Sequence, residues 1–294
     1  MFVDGVFSGG GIKGFAYVGA IQALEEHEIQ FKRVAGTSAG AILATFIAAG
    51  FNAKELEGIF DELNLKVLLD PPKFWFRMPF LKWINLYIRF GMYRGNTLEN
   101  WFHQKLATKG IYTFGDLPNG VLKLIASDLT NGKILVLPDD LIHYGIDGRS
   151  FSVSRALRMS CGLPFFFEPV YLMDGEKECV IVDGGVLSNF PLWIYDNGNM
   201  KRPVLGMKLS RSTEEMPPHE IDNAIELFEA LFSTMKDAHD KRYIARKHEK
   251  NIIFIPVEEY SATQFDMDEK TREKLISIGR ERTIQFLKTW RPVW

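Results

Sequence analysis

Residues 36 to 40 read Gly36-Thr37-Ser38-Ala39-Gly40, between a strand-like run, Phe31 to Ala35, and a helix-like run, Ala41 to Ala49. A G-x-S-x-G pentapeptide in a strand-turn-helix setting forms a nucleophile elbow. Such a turn presses the serine's flanks against the neighbouring strand and helix, and glycines two residues to either side remove the Cβ atoms that would collide. Ser38 then stands at a helix N-terminus, where backbone amides and the helix dipole favour developing negative charge. The pentapeptide alone also fits an ordinary glycine-serine connector, so it constrains local structure before it constrains chemistry.

At the N-terminus the apolar run Phe2 to Phe7 enters Ser8-Gly9-Gly10-Gly11-Ile12-Lys13-Gly14, followed by a helical pattern from Phe15 to Leu24. Gly9-x-Gly11-x-x-Gly14 has the form and placement of a dinucleotide-binding fingerprint. The same glycines expose consecutive amides beside a helix N-terminus, which is also how an oxyanion hole is built. A dinucleotide unit wants an acid about 20 residues on, at the end of its second strand. Here that strand ends in Ala35-Gly36-Thr37-Ser38, and Glu28 precedes it. A nucleotide-binding module is thus the rival reading of the loop. A third feature is Val180-Ile181-Val182-Asp183-Gly184-Gly185, a β-branched strand ending in an acid. Glycines after the acid let the chain turn away and leave the carboxylate at the rim an elbow would occupy. Taken singly, Asp-Gly-Gly is also an Asx-turn closing a strand.

Together these segments resemble the patatin-like phospholipases, or lipid acyl hydrolases, whose signatures are G-G-G-x-[KR]-G, G-x-S-x-G and D-G-[GA] in that order. The block Ser154 to Pro169 is similar to the family's A-x-x-A-S-x-x-x-P-x-x-F-x-P region, so the resemblance spans residues 1 to about 210. Ser8 stands where many members have Asp, a position that precedes the amide donors. The resemblance implies a layered α/β/α sandwich with a mostly parallel sheet. It implies Ser38 as nucleophile, Asp183 as its general base, and the amides of Gly9, Gly10, Gly11 and Ala39 as the oxyanion hole. Lys13 would lie near the same pocket, and Gly14, Gly36, Gly40, Gly184 and Gly185 would support the turns.

A serine hydroxyl needs a group to take its proton as it attacks, commonly a histidine held by an acid. A carboxylate does this directly if burial or neighbours raise its proton affinity. Attack on an ester carbonyl gives an acyl-enzyme that water then hydrolyses. The competing mechanism is a Ser-Asp-His triad, whose chain order would fit His219, His239 or His248. His219 sits in a polar loop, however, and the other two in a charged helical stretch, none of which reads as a strand end.

Net charge of −2 argues against a nucleic-acid binder. No basic n-region precedes the first strand and no apolar run is long enough to span a bilayer, so the expectation is a cytoplasmic enzyme without signal peptide. Cys161 and Cys179 have no metal or disulfide spacing and read as buried thiols, and no cofactor or metal is expected.

The chain reads as one catalytic domain over 1–294. The order is strand, helix, strand, helix to residue 50, then a helix near 53–63. Strands follow near 121–126, 134–137, 170–173, 179–182, 204–209 and 252–257, with helices over 220–248 and 269–289. Residues 66–94 form an insert in which Phe74, Trp75, Phe76, Phe80, Trp83, Tyr87, Phe90 and Tyr93 mingle with Lys73, Arg77, Lys82, Arg89 and Arg94. Lys82, Asn85 and Arg89 recur at helical spacing as a narrow polar stripe. Aromatic and basic residues together suit the boundary of an anionic bilayer. A lid over the site is the other reading, and the two are compatible, because lipid can displace an apolar cover. The expected partner is a phospholipid or other lipid ester, with peripheral membrane contact and no nucleic acid.

Overall fold

A computed structural model describes residues 1–62, 68–70, 86–196, 201–210, 221–222, 227, 230–235, 240, 249–257, 260 and 267–292. The expected opening alternation is present: β1 (Phe2–Phe7), a 3-10 turn at Gly11–Gly14, α1 (Phe15–Glu26), β2 (Gln30–Thr37) and α2 (Ala39–Ala48). Helix α3 (Ala53–Asp61) starts with a capping box, in which Asn52 and Glu55 exchange side-chain-to-backbone hydrogen bonds and satisfy amides the helix cannot. Then come β3 (Gly91–Tyr93), α4 (Asn96–Ala107), β4 (Leu122–Asp128), β5 (Lys133–Leu137), α5 (Val153–Ser160), β6 (Phe165–Phe167), β7 (Val170–Asp174), β8 (Lys177–Asp183), β9 (Val204–Lys208), β10 (Ile252–Phe254) and α6 (Glu269–Thr289).

Each later strand expected from the sequence is found, and the loop 128–133 closes the antiparallel β4–β5 hairpin with Asp128 opposite Lys133. Four elements, α4, α5, β3 and β6, were not among those expected from the sequence. Helix α5 has only eight residues, about two turns, too few to show a sustained period, and the fold buries Arg158 and Ser160 along with its apolar residues. The strands β3 and β6 are too short to display alternation, and they pair as a separate two-stranded sheet. Most of the helix expected over 220–248, and residues 71–85 of the insert, lie outside the described residues.

The architecture is the layered α/β one, on an eight-stranded sheet ordered β10-β9-β1-β2-β4-β8-β7 with β5 also on β4. From β10 to β4 every pairing is parallel, whereas β8 and β5 meet β4 antiparallel. Two glycines let α1 and α6 cross in backbone contact: a Cβ on Gly19 would stand 1.9 Å from Ile276 O, and one on Gly279 1.8 Å from Ala16 O. The contact closes over α1, nine of whose twelve residues are buried. The core is continuous through this layer, from Val3 and Phe7 on the sheet to Leu275 on α6.

Candidate active site

Ser38 has φ +53° and ψ −120°, a backbone conformation that L residues avoid. Such strain is of order 1–3 kcal/mol and persists only where the surroundings over-determine it. Here a Cβ on Gly36 would stand 2.2 Å from Gly40 O, and one on Gly40 would stand 2.3 Å from Phe7 O. The end of β2, the start of α2 and the end of β1 therefore touch backbone to backbone. Ser38 is fixed further by Ser160, whose Oγ accepts the Ser38 N–H at 3.1 Å and donates to Ile125 O at 2.6 Å. The Cys161 thiol lies 3.5 Å from Ser38 O, and burial, then the charge of Asp183, push that thiol well above its ordinary range.

The first glycine loop is folded against the elbow. A Cβ on Gly9 would stand 3.3 Å from Ser38 Cβ, and one on Gly14 3.1 Å from Ala39 Cβ. Gly10 faces Leu209, 2.5 Å from where its own Cβ would be. The Gly9 N–H donates to Asn189 O at 3.0 Å, so that amide holds the loop in place. Ser8 is buried: its Oγ accepts the Leu209 N–H at 3.1 Å, and the Tyr17 hydroxyl donates to its carbonyl at 2.7 Å. Burial pushes the Tyr17 phenol far up. Lys13 lies in the 3-10 turn, half-buried.

Asp183 ends β8 and is 2% exposed. Thr37 pairs with Ile125, and Asp183 pairs with Ala126, so the ends of β2 and β8 meet adjacent residues of β4. Because β2 runs parallel to β4 and β8 antiparallel to it, the two strand ends point toward each other along the edge of β4 opposite β5. Asp183 Oδ1 accepts the Gly185 N–H at 2.7 Å, and its own N–H donates to Gly162 O at 2.9 Å. A Cβ on Gly184 would stand 2.3 Å from Ile125 O. Ile125 thus contacts both sides: its carbonyl anchors Ser160 behind the serine and abuts the glycine behind the acid.

A family model described as patatin-like phospholipase matches residues 5–196, which contain the elbow, the glycine loop and the acid. The chain belongs to the patatin-like phospholipase family. It is 51% identical to the uncharacterized protein YqhO of Bacillus subtilis over 290 residues, 99% of either chain. The cGAMP-activated phospholipase of Escherichia coli is 28% identical over 204 residues, 64% of this chain and 52% of its own. Among solved structures, VipD from Legionella pneumophila superposes with a TM-score of 0.59 at 20% identity, over 98% of this chain and 67% of its own.

Within this patatin-like chain, the structure adds residues the motifs did not announce. Ser160 was visible only as part of the block 154–169, and nothing in that block pointed to the serine's amide. Asn189, Lys208 and Asp240 form a buried polar cluster against the glycine loop. At the base of the insert, Asp70 accepts the N–H groups of Gly95, Asn96 and Thr97, which cap α4. Arg158, buried beside it, donates to the carbonyls of Arg94 and Glu168, and burial pulls its guanidinium down to about 10. It still carries its charge at neutral pH. His219, His239 and His248 lie outside the described residues.

Proposed function

We propose that this patatin-like chain is a serine acyl hydrolase that cleaves carboxylic esters of phospholipids or related lipids through Ser38 and Asp183. The observation that carries the reading is the strained Ser38, locked at the N-terminus of α2 by glycine contacts, with the strand that leads into it and the strand that ends at Asp183 meeting adjacent residues on one edge of β4. Membership of the patatin-like phospholipase family supports a lipid hydrolase, as does the name of the E. coli relative.

Asp183 takes the Ser38 hydroxyl proton as Oγ attacks the ester carbonyl. The tetrahedral oxyanion is held by the amides of Gly10, Gly11 and Ala39. Gly9, whose N–H is engaged by Asn189 O, contributes loop shape and close approach instead of a donor. Collapse expels the alcohol with the proton from Asp183, and water repeats the sequence on the acyl-enzyme to free the fatty acid.

The protein meets its substrate at a lipid surface. Tyr87, Ile88, Phe90 and Phe165 are all more than half exposed, and the pairing of β3 with β6 sets Gly91, next to Phe90, opposite Phe165. Among the described residues no helix is long and apolar enough to cross a membrane, so contact through such a patch would be peripheral. A fluorophosphonate probe tests the chemistry. Labelling of Ser38, together with phospholipid hydrolysis lost in Ser38→Ala and Asp183→Asn, is expected. Turnover by Ser38→Ala would overturn the assignment, and no label with measurable nucleotide affinity would favour the rival reading of the glycine loop.

A further inference from the structure

We infer that Asn189 is a positioning residue that sets the gap between the glycine loop and the acid, and that the buried Lys208–Asp240 ion pair, beyond the matched residues 5–196, holds its side chain there. The inference rests on the serine hydrolase reading for its effect on rate.

Three contacts define the brace. Asn189 O accepts the Gly9 N–H at 3.0 Å. Asn189 Oδ1 lies between the two walls: a Cβ on Gly9 would be 2.5 Å from it and 3.3 Å from Ser38 Cβ, and a Cβ on Gly185 would be 3.4 Å from it and 3.0 Å from Asp183 Oδ1. One amide oxygen therefore occupies the space between the glycine beside the nucleophile and the glycine bonded to the acid. On the far side, Asn189 Nδ2 donates to Asp240 Oδ2 at 3.3 Å, Phe190 N–H donates to Asp240 Oδ1 at 3.1 Å, and Lys208 Nζ sits 2.8 Å from Oδ2.

The orientation of the amide follows from charge. A carboxylate with a lysine already on it accepts and does not donate, so Asn189 must present its NH₂ to Asp240 and its oxygen to the glycines. That oxygen is buried and receives no hydrogen bond. A buried acceptor without a donor is unfavourable, and a flipped amide would set two acceptors face to face, which is worse. The ion pair thus forces a costly placement that a core designed for stability alone would avoid, and the atom it places is the wedge between nucleophile and base. Asn189, Lys208 and Asp240 are 5%, 5% and 1% exposed, so solvent does not screen the pair.

The test compares Asn189→Ala, Asp240→Asn and the double variant in the full chain. It uses kcat and KM on a soluble short-chain nitrophenyl ester, and amide exchange at Gly9 and Gly185 by NMR. Misplacing reacting groups by about 1 Å costs about 10²-fold in rate, so kcat should fall on that scale with KM nearly unchanged. The double variant should match Asn189→Ala alone, because Asp240 acts through Asn189. Gly9 amide exchange should accelerate in both single variants. If Asp240→Asn does not fold, Asn189→Ala and Asn189→Ser, which leave the Lys208–Asp240 pair intact, carry the test, with partial recovery expected in the serine variant. Additive losses in kcat, a change confined to KM, or unaltered Gly9 exchange would overturn the brace. Should the wild-type chain show no ester turnover, the hydrolase reading fails by itself, and the exchange at Gly9 and Gly185 still decides whether Asn189 positions the loops.

Discussion

The side of the site that carries Ser38 and the side that carries Asp183 meet end to end along one edge of β4, yet they are held by different forces. Apart from the Ser160 hydrogen bond to the Ser38 amide, the serine side is backbone against backbone: Gly36, Gly40 and the end of β1 leave no room for a single added carbon. The acid side shares one such contact, Gly184 on Ile125, and is otherwise a polar lattice running from Gly162 through Asp183 and Gly185 toward Asn189, Asp240 and Lys208. Steric locking has no soft direction, and it can hold Ser38 in a strained conformation through every turnover. A polar lattice can shift by a fraction of an ångström while keeping its bonds. On the proposed mechanism Asp183 alternately takes and returns a proton, and such a group has more use for that compliance than one that must stay aimed.

The contrast predicts separate failures. The largest concerns chemistry: Ser38→Ala and Asp183→Asn should each lower ester turnover by about 10⁴-fold or more, with the double variant hardly worse, because members of one catalytic unit are not additive. Ser38→Gly should be equally inactive yet more stable to urea by about 1 kcal/mol, since glycine relieves the positive φ. A Ser38→Gly protein less stable than wild type would show that the elbow is not strained.

Next in size is packing. Gly40→Ala forces a carbon to 2.3 Å from Phe7 O and should destabilise by at least about 3 kcal/mol in urea unfolding, or prevent folding. Gly185→Ala meets only side-chain atoms, at 3.0 Å and beyond, and should cost about 1 kcal/mol or less in stability. Equal penalties at the two positions would erase the distinction between the walls. Ser160→Ala lies between them. It removes an acceptor from the Ser38 amide and a donor from Ile125 O, and should cost about 1–3 kcal/mol.

The same contrast explains what could be read from the sequence. Steric locking leaves a local record, because the glycines must lie beside the residue they free; Gly36, Gly40, Gly184 and Gly185 marked the elbow and the strand end without any knowledge of partners. The alternation of β1, α1, β2 and α2 was legible for a related reason, since each run is long enough to show its period. The lattice leaves no such record. Ser160 reaches Ser38 across 122 positions, and Asn189 reaches Asp240 across 51. Each is an unremarkable polar residue until the fold brings it inward. Asn189 follows Asp183-Gly184-Gly185 closely enough that its place in the chain was a hint, but the direction of its amide depends on a carboxylate that no local pattern signals.

The smallest expected effect tests how dry the junction of the two walls is. Cys161 lies against Ser38 O, and burial followed by the charge of Asp183 raises its thiol well above the ordinary thiol value of 9.0. In the unfolded chain the thiol loses its proton near that value, whereas in the folded protein it keeps it. Above pH 9 the unfolded state therefore binds fewer protons than the native state, and stability falls as pH rises; below pH 9 both states hold the proton and the contribution is constant. Tyr17 and Tyr195 are shifted upward in the same way by burial, from a starting value of 10.0, so they join only at higher pH. Between pH 9 and 10 the urea-derived stability should decline with a slope approaching about 1.4 kcal/mol per pH unit from this one group. Cys161→Ala should flatten that window while leaving the steeper loss above pH 10 in place. An unchanged slope in Cys161→Ala would mean that water reaches the thiol in the native state, and the junction beside Ser38 would then be wet instead of sealed.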